Sequence, residues 1–231
     1  LGLADRGGPA DRERAALMIV LYWMTPDPFT VTAEQSLFEV WGLLRDNEIR
    51  RLPVVKDEDQ LVGLIGRADL YRFASRDAVR GPAEGVREIL ETITVGEVMS
   101  RDPTTCEVSE HLELVSERMR KIKVGAFPVL SRGHLVGIIS ETDLLRALGE
   151  LAGVASGAVR ITLRVPTESD AERTFEIVDL CRRHSLVLSS VLTHQILEDS
   201  ATMTTLRVRG DRVDDFVQAL WKAGFNVVDR A

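Results

Sequence analysis

The stretch HLVGIISETDLL, His134 to Leu145, decides how this chain is read. Its apolar run, Leu135 to Ile139, has the composition of a buried strand. The run stops at Ser140. Two hydroxyls and two acids follow in Ser140-Glu141-Thr142-Asp143, and Leu144 and Leu145 then resume an apolar pattern. That is a strand leading into a helix start. Ser140 suits the N-cap and Asp143 the third helical position, where their side chains satisfy free backbone amides. The same place suits a ligand, because a helix N-terminus offers N–H donors and partial positive charge. Ser140 and Thr142 bring hydroxyls, and a carboxylate such as Asp143 can accept from both hydroxyls of a ribose.

The stretch has a sibling upstream, QLVGLIGRADLY, Gln60 to Tyr71. Leu61-Val62-Gly63 matches Leu135-Val136-Gly137, and Asp69-Leu70 matches Asp143-Leu144. Further upstream, RLPVV (Arg51 to Val55) matches AFPVL (Ala126 to Leu130), and MTPDPFTV (Met24 to Val31) matches MSRDPTTC (Met99 to Cys106). The offset is 75 residues in the early segments and 74 at the Leu-Val-Gly segments. The missing residue falls in the polar link KDEDQ against SRGH, a surface hairpin where length changes are tolerated. One supersecondary unit is therefore used twice. Each copy predicts a Pro-containing lead-in, a short extended piece, a helix (Leu37, Val40, Trp41, Leu44; Leu112, Val115, Met119), a Pro-bearing strand, a turn, a second strand and a final helix. Between the copies, residues 76–92 read as a charged linker with some helix in VREILETI.

After Leu148 the composition changes. LGELAGVASGA reads as a connection between domains. Beyond it the pattern predicts a strand (VRITLRV), a helix with a Ser169–Glu172 capping box and an apolar face of Phe175, Ile177, Val178 and Cys181, two strands, a helix ending at Gly224 and a last strand (FNVVD). The order is βαββαβ, the ferredoxin-like pattern. The expected fold class is thus α/β (α+β), with an extension (1–17), a first repeat (18–75), a linker (76–92), a second repeat (93–148), a connection (149–157) and a C-terminal domain (158–231).

Composition narrows the function classes. The chain has 231 residues, 45% hydrophobic and 28% charged, which suits soluble domains with two cores. No run approaches the roughly 20 apolar residues that span a bilayer, and Ala15 to Met24 lacks the features of a signal peptide. A net charge of −7 argues against a nucleic-acid partner. Cys106, Cys181, His111, His134, His184 and His194 are scattered without metal-ligand spacing, so all six read as structural and the location as cytoplasmic. Neither a nucleophile–base pair nor a Gly-rich phosphate loop is present, so no catalytic residue is expected.

The two copies resemble a pair of cystathionine-β-synthase (CBS) domains, on Met-Thr-Pro-x-Pro, Arg-Leu-Pro-Val-Val and the Gly-containing run into Asp-Leu, each in order and twice. The resemblance covers Leu21 to about Leu148. The tail is similar to an ACT domain in topology, and the combination resembles the acetoin-utilisation (AcuB) group. The resemblance implies a disc with two clefts that take adenosine-containing ligands, AMP, ADP or ATP, each cleft joining the Asp of one copy to the lead-in of the other. One cleft would combine Ser140, Thr142, Asp143 and Ile138 with Met24, Thr25 and Phe29. The other would combine Gly66, Arg67 and Asp69 with Met99, Ser100 and Thr104. Relatives often carry a basic residue before the Leu-Pro-Val strand. Arg50-Arg51 fits, whereas Gly125-Ala126 does not, so Arg51 and Arg67 are the expected phosphate charges and Asp143 the better ribose acceptor. Arg67 in a first helical turn opposes the dipole, a conflict that a bound anion would relieve. Amino-acid-binding ACT domains usually have Gly after the first strand. Here Pro166-Thr167-Glu168-Ser169 lacks it, which favours dimerisation or partner docking over amino-acid sensing. The expectation is a homodimeric regulatory nucleotide sensor. The alternatives are an adaptor with empty clefts and an amino-acid sensor.

Overall fold

The computed structural model describes residues 18–57, 59–72, 84–154, 157–166, 170–196 and 201–231. The expected extension (1–17) and the turn residues 167–169, which include Ser169 of the expected Ser169–Glu172 capping box, lie outside them. Two units divide between Leu144 and Leu145.

The first unit holds both repeats as far as Leu144, within the last helix of the second. In the first repeat, α1 (Val20–Trp23) and β1 (Thr25–Pro26) form the lead-in, followed by α2 (Leu37–Asp46), β2 (Arg51–Lys56), β3 (Gln60–Gly66) and the single turn α3 (Arg67–Leu70). Helix α2 starts where a Ser-x-x-Glu box demands. Ser36 N donates to Glu39 Oε2 at 2.8 Å, and Ser36 Oγ accepts from Glu39 N at 3.3 Å. Its inward stripe of Leu37, Val40 and Leu44 is fully buried, while Trp41 is only half-buried. The bridging stretch contains α4 (Glu84–Thr92), and this is more than a linker. Leu90 is buried in the same core as Leu37, Val40, Leu52 and Ile65, and the Arg87 guanidinium lies 4.7 Å over the ring of Phe38.

The second repeat runs α5 (Val95–Val98), β4 (Ser100–Arg101), β5 (Cys106–Glu107), α6 (Leu112–Ile122), β6 (Ala126–Ser131), β7 (His134–Ser140) and α7 (Glu141–Leu151). Backbone irregularities recur with the repeat. Both hairpins slip register at matching places, between Val54 and Val55 and between Val129 and Leu130. Asp27 and Asp102, matching lead-in residues, take positive φ of 46° and 47°, a conformation that Asp tolerates better than most residues.

The repeats are joined by exchange of their lead-ins. Strand β1 pairs antiparallel with β7 (Thr25↔Ile138, Pro26↔Gly137), and β4 with β3 (Leu64↔Ser100, Gly63↔Arg101). Glycine is required at the crossing. A Cβ on Gly137 would stand 2.5 Å from Met24 Sδ and 3.0 Å from Thr25 O, and one on Gly63 would collide with Met99 Sδ in the same way. The buried Met24 and Met99 side chains press on the partner strand at the point where it has no side chain.

The second unit has β8 (Val159–Pro166), α8 (Asp170–Arg183), β9 (Val187–Ile196), β10 (Ala201–Arg209), α9 (Val213–Lys222) and β11 (Asn226–Arg230), an order βαββαβ. Its sheet is antiparallel in the order β11-β8-β10-β9. Ile161, Leu163, Leu206 and Val208 meet Ile177, Phe216, Val217 and Leu220 in one core. The expected apolar face of α8 is corrected in part: Ile177 and Cys181 point inward, while Phe175 is 77% and Val178 46% exposed. At about 100° per residue, Phe175 and Val178 lie off the stripe that Ile177 and Cys181 share.

Candidate functional site

Ser140-Glu141-Thr142-Asp143 is a helix start whose acid closes a cap. Asp143 Oδ2 accepts from Ser140 N at 2.9 Å and from Ser140 Oγ at 2.7 Å. In the first repeat Asp69 Oδ2 accepts from Gly66 N at 2.9 Å, and glycine has no hydroxyl to add. Both carboxylates are half-buried and held in place by these bonds.

The exchanged lead-ins bring Met24 and Thr25 close to one helix start, and Met99 and Ser100 close to the other. Thr25 is the strand partner of Ile138, two residues before Ser140, and Met24 packs on Gly137. Thr25, Phe29 and Thr142 are exposed, Phe29 to 53%, and Ile138 is half-buried. In the other copy Ser100 is the partner of Leu64, two residues before Gly66, with Met99 on Gly63 and Thr104 exposed beyond it.

Of the two expected phosphate charges, Arg67 has a carbonyl partner within the protein. Arg67 does not wait for an anion. Its Nη2 donates to Leu44 O at 2.9 Å, near the carbonyl end of α2, where a cation is favourable. The conflict inferred from its place in a first turn is relieved within the protein. The helix it begins is one turn long, so the opposing dipole is small, whereas α7 beyond Ser140 has 11 residues. Arg51 pairs in β2 with Gly66, yet its Nη1 lies 3.3 Å from the position a Cβ on Gly125 would take, in the second repeat. Glu141 Oε2 lies 2.9 Å from that same position. Gly125 and Glu141 carried no role in the sequence reading. The only signal was that Gly125 stands where the first copy has Arg50.

Other features do not compete for this role. An open depression of about 630 Å³ lies at the hairpin turns, lined by Asp57, Gln60, Arg132, Gly133 and His134, at the opposite ends of β3 and β7 from Asp69 and Asp143. The turns touch there, Leu135 N donating to Asp59 O at 3.1 Å. Burial pushes the Cys106 thiol up to about 12, with repulsion from Glu110 adding to it, and the Cys181 thiol up to about 11. Among the described residues no group of three or more His, Cys, Asp or Glu can hold a metal ion, and no helix is long and apolar enough to cross a membrane.

Comparison with known proteins agrees with this geometry. The CBS domain profile matches residues 19–76 and 95–150. The chain is 30% identical over 132 residues to a CBS domain-containing protein of Dictyostelium discoideum, covering 57% of this chain and 91% of that one. It is 26% identical over 216 residues to the inosine-5′-monophosphate dehydrogenase of Staphylococcus saprophyticus, spanning 87% of this chain but only 41% of that enzyme. Among solved structures it is similar to a protein assigned to acetoin utilization (AcuB) from Vibrio cholerae, with 25% identity, a TM-score of 0.50, and coverage of 60% of this chain and 95% of that one. The profile ends at residue 150, so β8 and all that follows it lie outside the match.

Proposed function

The chain belongs to the CBS-domain family, and from that premise we propose that it is a regulatory protein whose paired repeats bind an adenosine nucleotide, AMP, ADP or ATP. The observation that carries this reading is the exchange of lead-ins, Thr25 onto Ile138 and Ser100 onto Leu64. It lays an apolar and hydroxyl-bearing segment of one repeat beside the carboxylate of the other. Asp143, oriented by its bonds to Ser140, is the ribose acceptor. Ser140 and Thr142 donate to ribose or phosphate oxygens, and Met24, Phe29 and Ile138 flank the adenine. Asp69, Met99, Ser100 and Thr104 repeat the arrangement in the second cleft.

The βαββαβ unit is proposed to be ACT-like and to carry the signal to a partner or a second copy of the chain. Binding would shift the population of cleft or dimer geometries, without a catalytic step. A homodimer, a cytoplasmic location and a role in acetoin utilisation belong to the same proposal, as do the domain limits given above. An adaptor with empty clefts is the second reading. It is favoured by the caps themselves, because Asp69 and Asp143 already accept hydrogen bonds from Gly66 N and Ser140 N within the chain.

Thermal melting with AMP, ADP, ATP, NAD and S-adenosylmethionine separates the two. A ligand at about 100 times its Kd adds about 2.7 kcal/mol to stability, which corresponds to an upward shift of about 5–10 °C for a chain of this size. No shift with any of the five at millimolar concentration would favour the adaptor. Nucleotide breakdown in the same samples would overturn the non-catalytic reading.

A further inference from the structure

The sheet of the second unit carries its two helices on one face. Side chains alternate along a strand, so Ile161, Leu163, Leu206 and Val208, which meet α8 and α9, turn their neighbours to the other face. The pairing registers set that open face out in rows. Arg160 stands opposite Arg207, and Arg207 opposite Ser190. Thr162 stands opposite Thr205, and Thr205 opposite Leu192. Arg164 stands opposite Met203, and Met203 opposite His194. Arg209 follows Arg207 on the same face, and Asp229 of β11 stands opposite Thr162.

The charges of the unit are divided between its faces. On the helices, Glu176, Asp179 and Asp215 each pair with an arginine three residues away. On the open face, four arginines stand with one acid among the described residues, and that acid is engaged: Arg160 Nη2 donates to Asp229 Oδ2 at 2.6 Å. Arg207 and Arg209 have no hydrogen bond or ion pair with any described residue. Arg160 and Arg207 are like charges directly opposite each other, which destabilises a sheet. Between the arginines lie two apolar side chains, Met203, half-buried, and Leu192, 44% exposed. Arginine and methionine in place of lysine and acids is the composition of a protein-binding surface.

The charge also sorts the occupants. A second copy is disfavoured, because a twofold axis through this face would set arginines against arginines. Sheets that hold single-stranded nucleic acid stack its bases on aromatic side chains, and these rows contain no Phe, Tyr or Trp. The net charge of −7 also repels a long polyanion. A short acidic segment needs only the face itself, about 15–20 Å across for four strands.

We propose that the open face of the β8–β11 sheet docks an acidic segment of a partner protein, its carboxylates on Arg207 and Arg209 and an apolar side chain against Leu192 and Met203. The proposal rests on the partner role given to this unit above and is independent of what the clefts hold.

The test is fluorescence anisotropy of the full chain with a short labelled peptide of glutamates around a central leucine, the same peptide with Gln for Glu, and a labelled oligouridylate. The Glu peptide should bind and the Gln peptide should not. Arg207→Gln combined with Arg209→Gln should weaken binding by about threefold to thirtyfold, since each exposed ion pair contributes little. Leu192→Thr leaves every charge in place and should weaken it by about threefold to tenfold. Arg182→Gln with Arg183→Gln, the same charge change on α8, should alter it by less than about twofold. Thermal melting checks the fold of each variant, and if the double open-face variant does not fold, Arg209→Gln alone and Leu192→Thr, both at exposed positions, decide. The docking face is overturned, with the partner role left standing, by any of four results: no binding of the Glu peptide, equal binding of the Gln peptide, binding that survives loss of Arg207 and Arg209, or binding unmoved by Leu192→Thr. Tighter binding of oligouridylate, lost in the open-face variant, would give the face to nucleic acid and overturn the proposal. A dimer in light scattering that dissociates in that variant would give the face to a second copy, and would remove the partner role as well.

Discussion

Replacing Gly137 by alanine tests the exchange of lead-ins on which the clefts depend. The added methyl would lie 2.5 Å from Met24 Sδ, 3.2 Å from Met24 Cγ and 3.0 Å from Thr25 O. Favourable contact between such atoms lies at about 3.5–4.0 Å, so the overlap with sulfur is about 1 Å or more. The carbonyl of Thr25 is fixed by pairing with Ile138, and Met24 is only 6% exposed, so neither can withdraw freely. Forcing one extra carbon into such a contact costs about 1–3 kcal/mol. Alanine returns about 0.5–1 kcal/mol, because glycine is entropically unfavourable in a strand. The net expectation is a loss of about 1–2 kcal/mol. Urea denaturation of the wild type, Gly137→Ala, Met24→Ala and the double variant measures it. In the Met24→Ala background the methyl has room, so Gly137→Ala should become neutral or stabilising, with a coupling of about 1–3 kcal/mol. Additive effects of the two substitutions would refute the packing of Met24 on Gly137, and with it the exchange. The pair Gly63→Ala and Met99→Ala should show coupling of the same sign.

The remaining predictions address the caps, the thiols and the response to acid. Asp143→Asn keeps an acceptor for Ser140 N, so stability should fall by about 1 kcal/mol or less. AMP affinity measured by calorimetry should fall about tenfold to hundredfold, and unchanged binding in the Asp143→Asn, Asp69→Asn double variant would remove the ribose role from both carboxylates. Cys106 and Cys181 are 2% and 3% exposed with raised pKa values, so a thiol reagent at neutral pH should label neither in the native chain and both in denaturant; rapid native labelling would contradict the packing. The Glu97 carboxylate accepts from Thr94 N and Oγ1 at 2.7 and 2.8 Å, which holds its pKa below the usual carboxylate range. A depressed folded pKa means that its contribution is present above the unfolded value and is lost as pH falls through the folded one. Glu97→Gln should therefore be less stable than the wild type at pH 7 and indistinguishable from it in strong acid, and a gap that persists in acid would exclude the linkage.

The sequence by itself determined the repeat, the hairpin within each copy and the helices that flank it. These follow from short-range causes. Alternating and helical apolar periods are set by backbone geometry, Ser36 and Glu39 cap a helix within three residues, and a deletion between the copies falls in a solvated turn. The order βαββαβ was legible for the same reason. The crosswise placing of the lead-ins was implied by the family resemblance, but the strand and register each one joins were decided only by the tertiary structure. Thr25–Pro26 and Ser100–Arg101 are two residues long, too short for any period, and their partners are chosen by the fit of Met24 on Gly137 and Met99 on Gly63. The glycines were visible in the sequence, but their reason lies far along the chain. The charges divide in the same way. Arg51 and Arg67 were both recognisable as cations near a helix start, yet a guanidinium on a long side chain goes to whatever carbonyl or gap the fold brings within reach. For Arg67 that is the carbonyl of Leu44, and for Arg51 it is the space beside Gly125 in the other repeat.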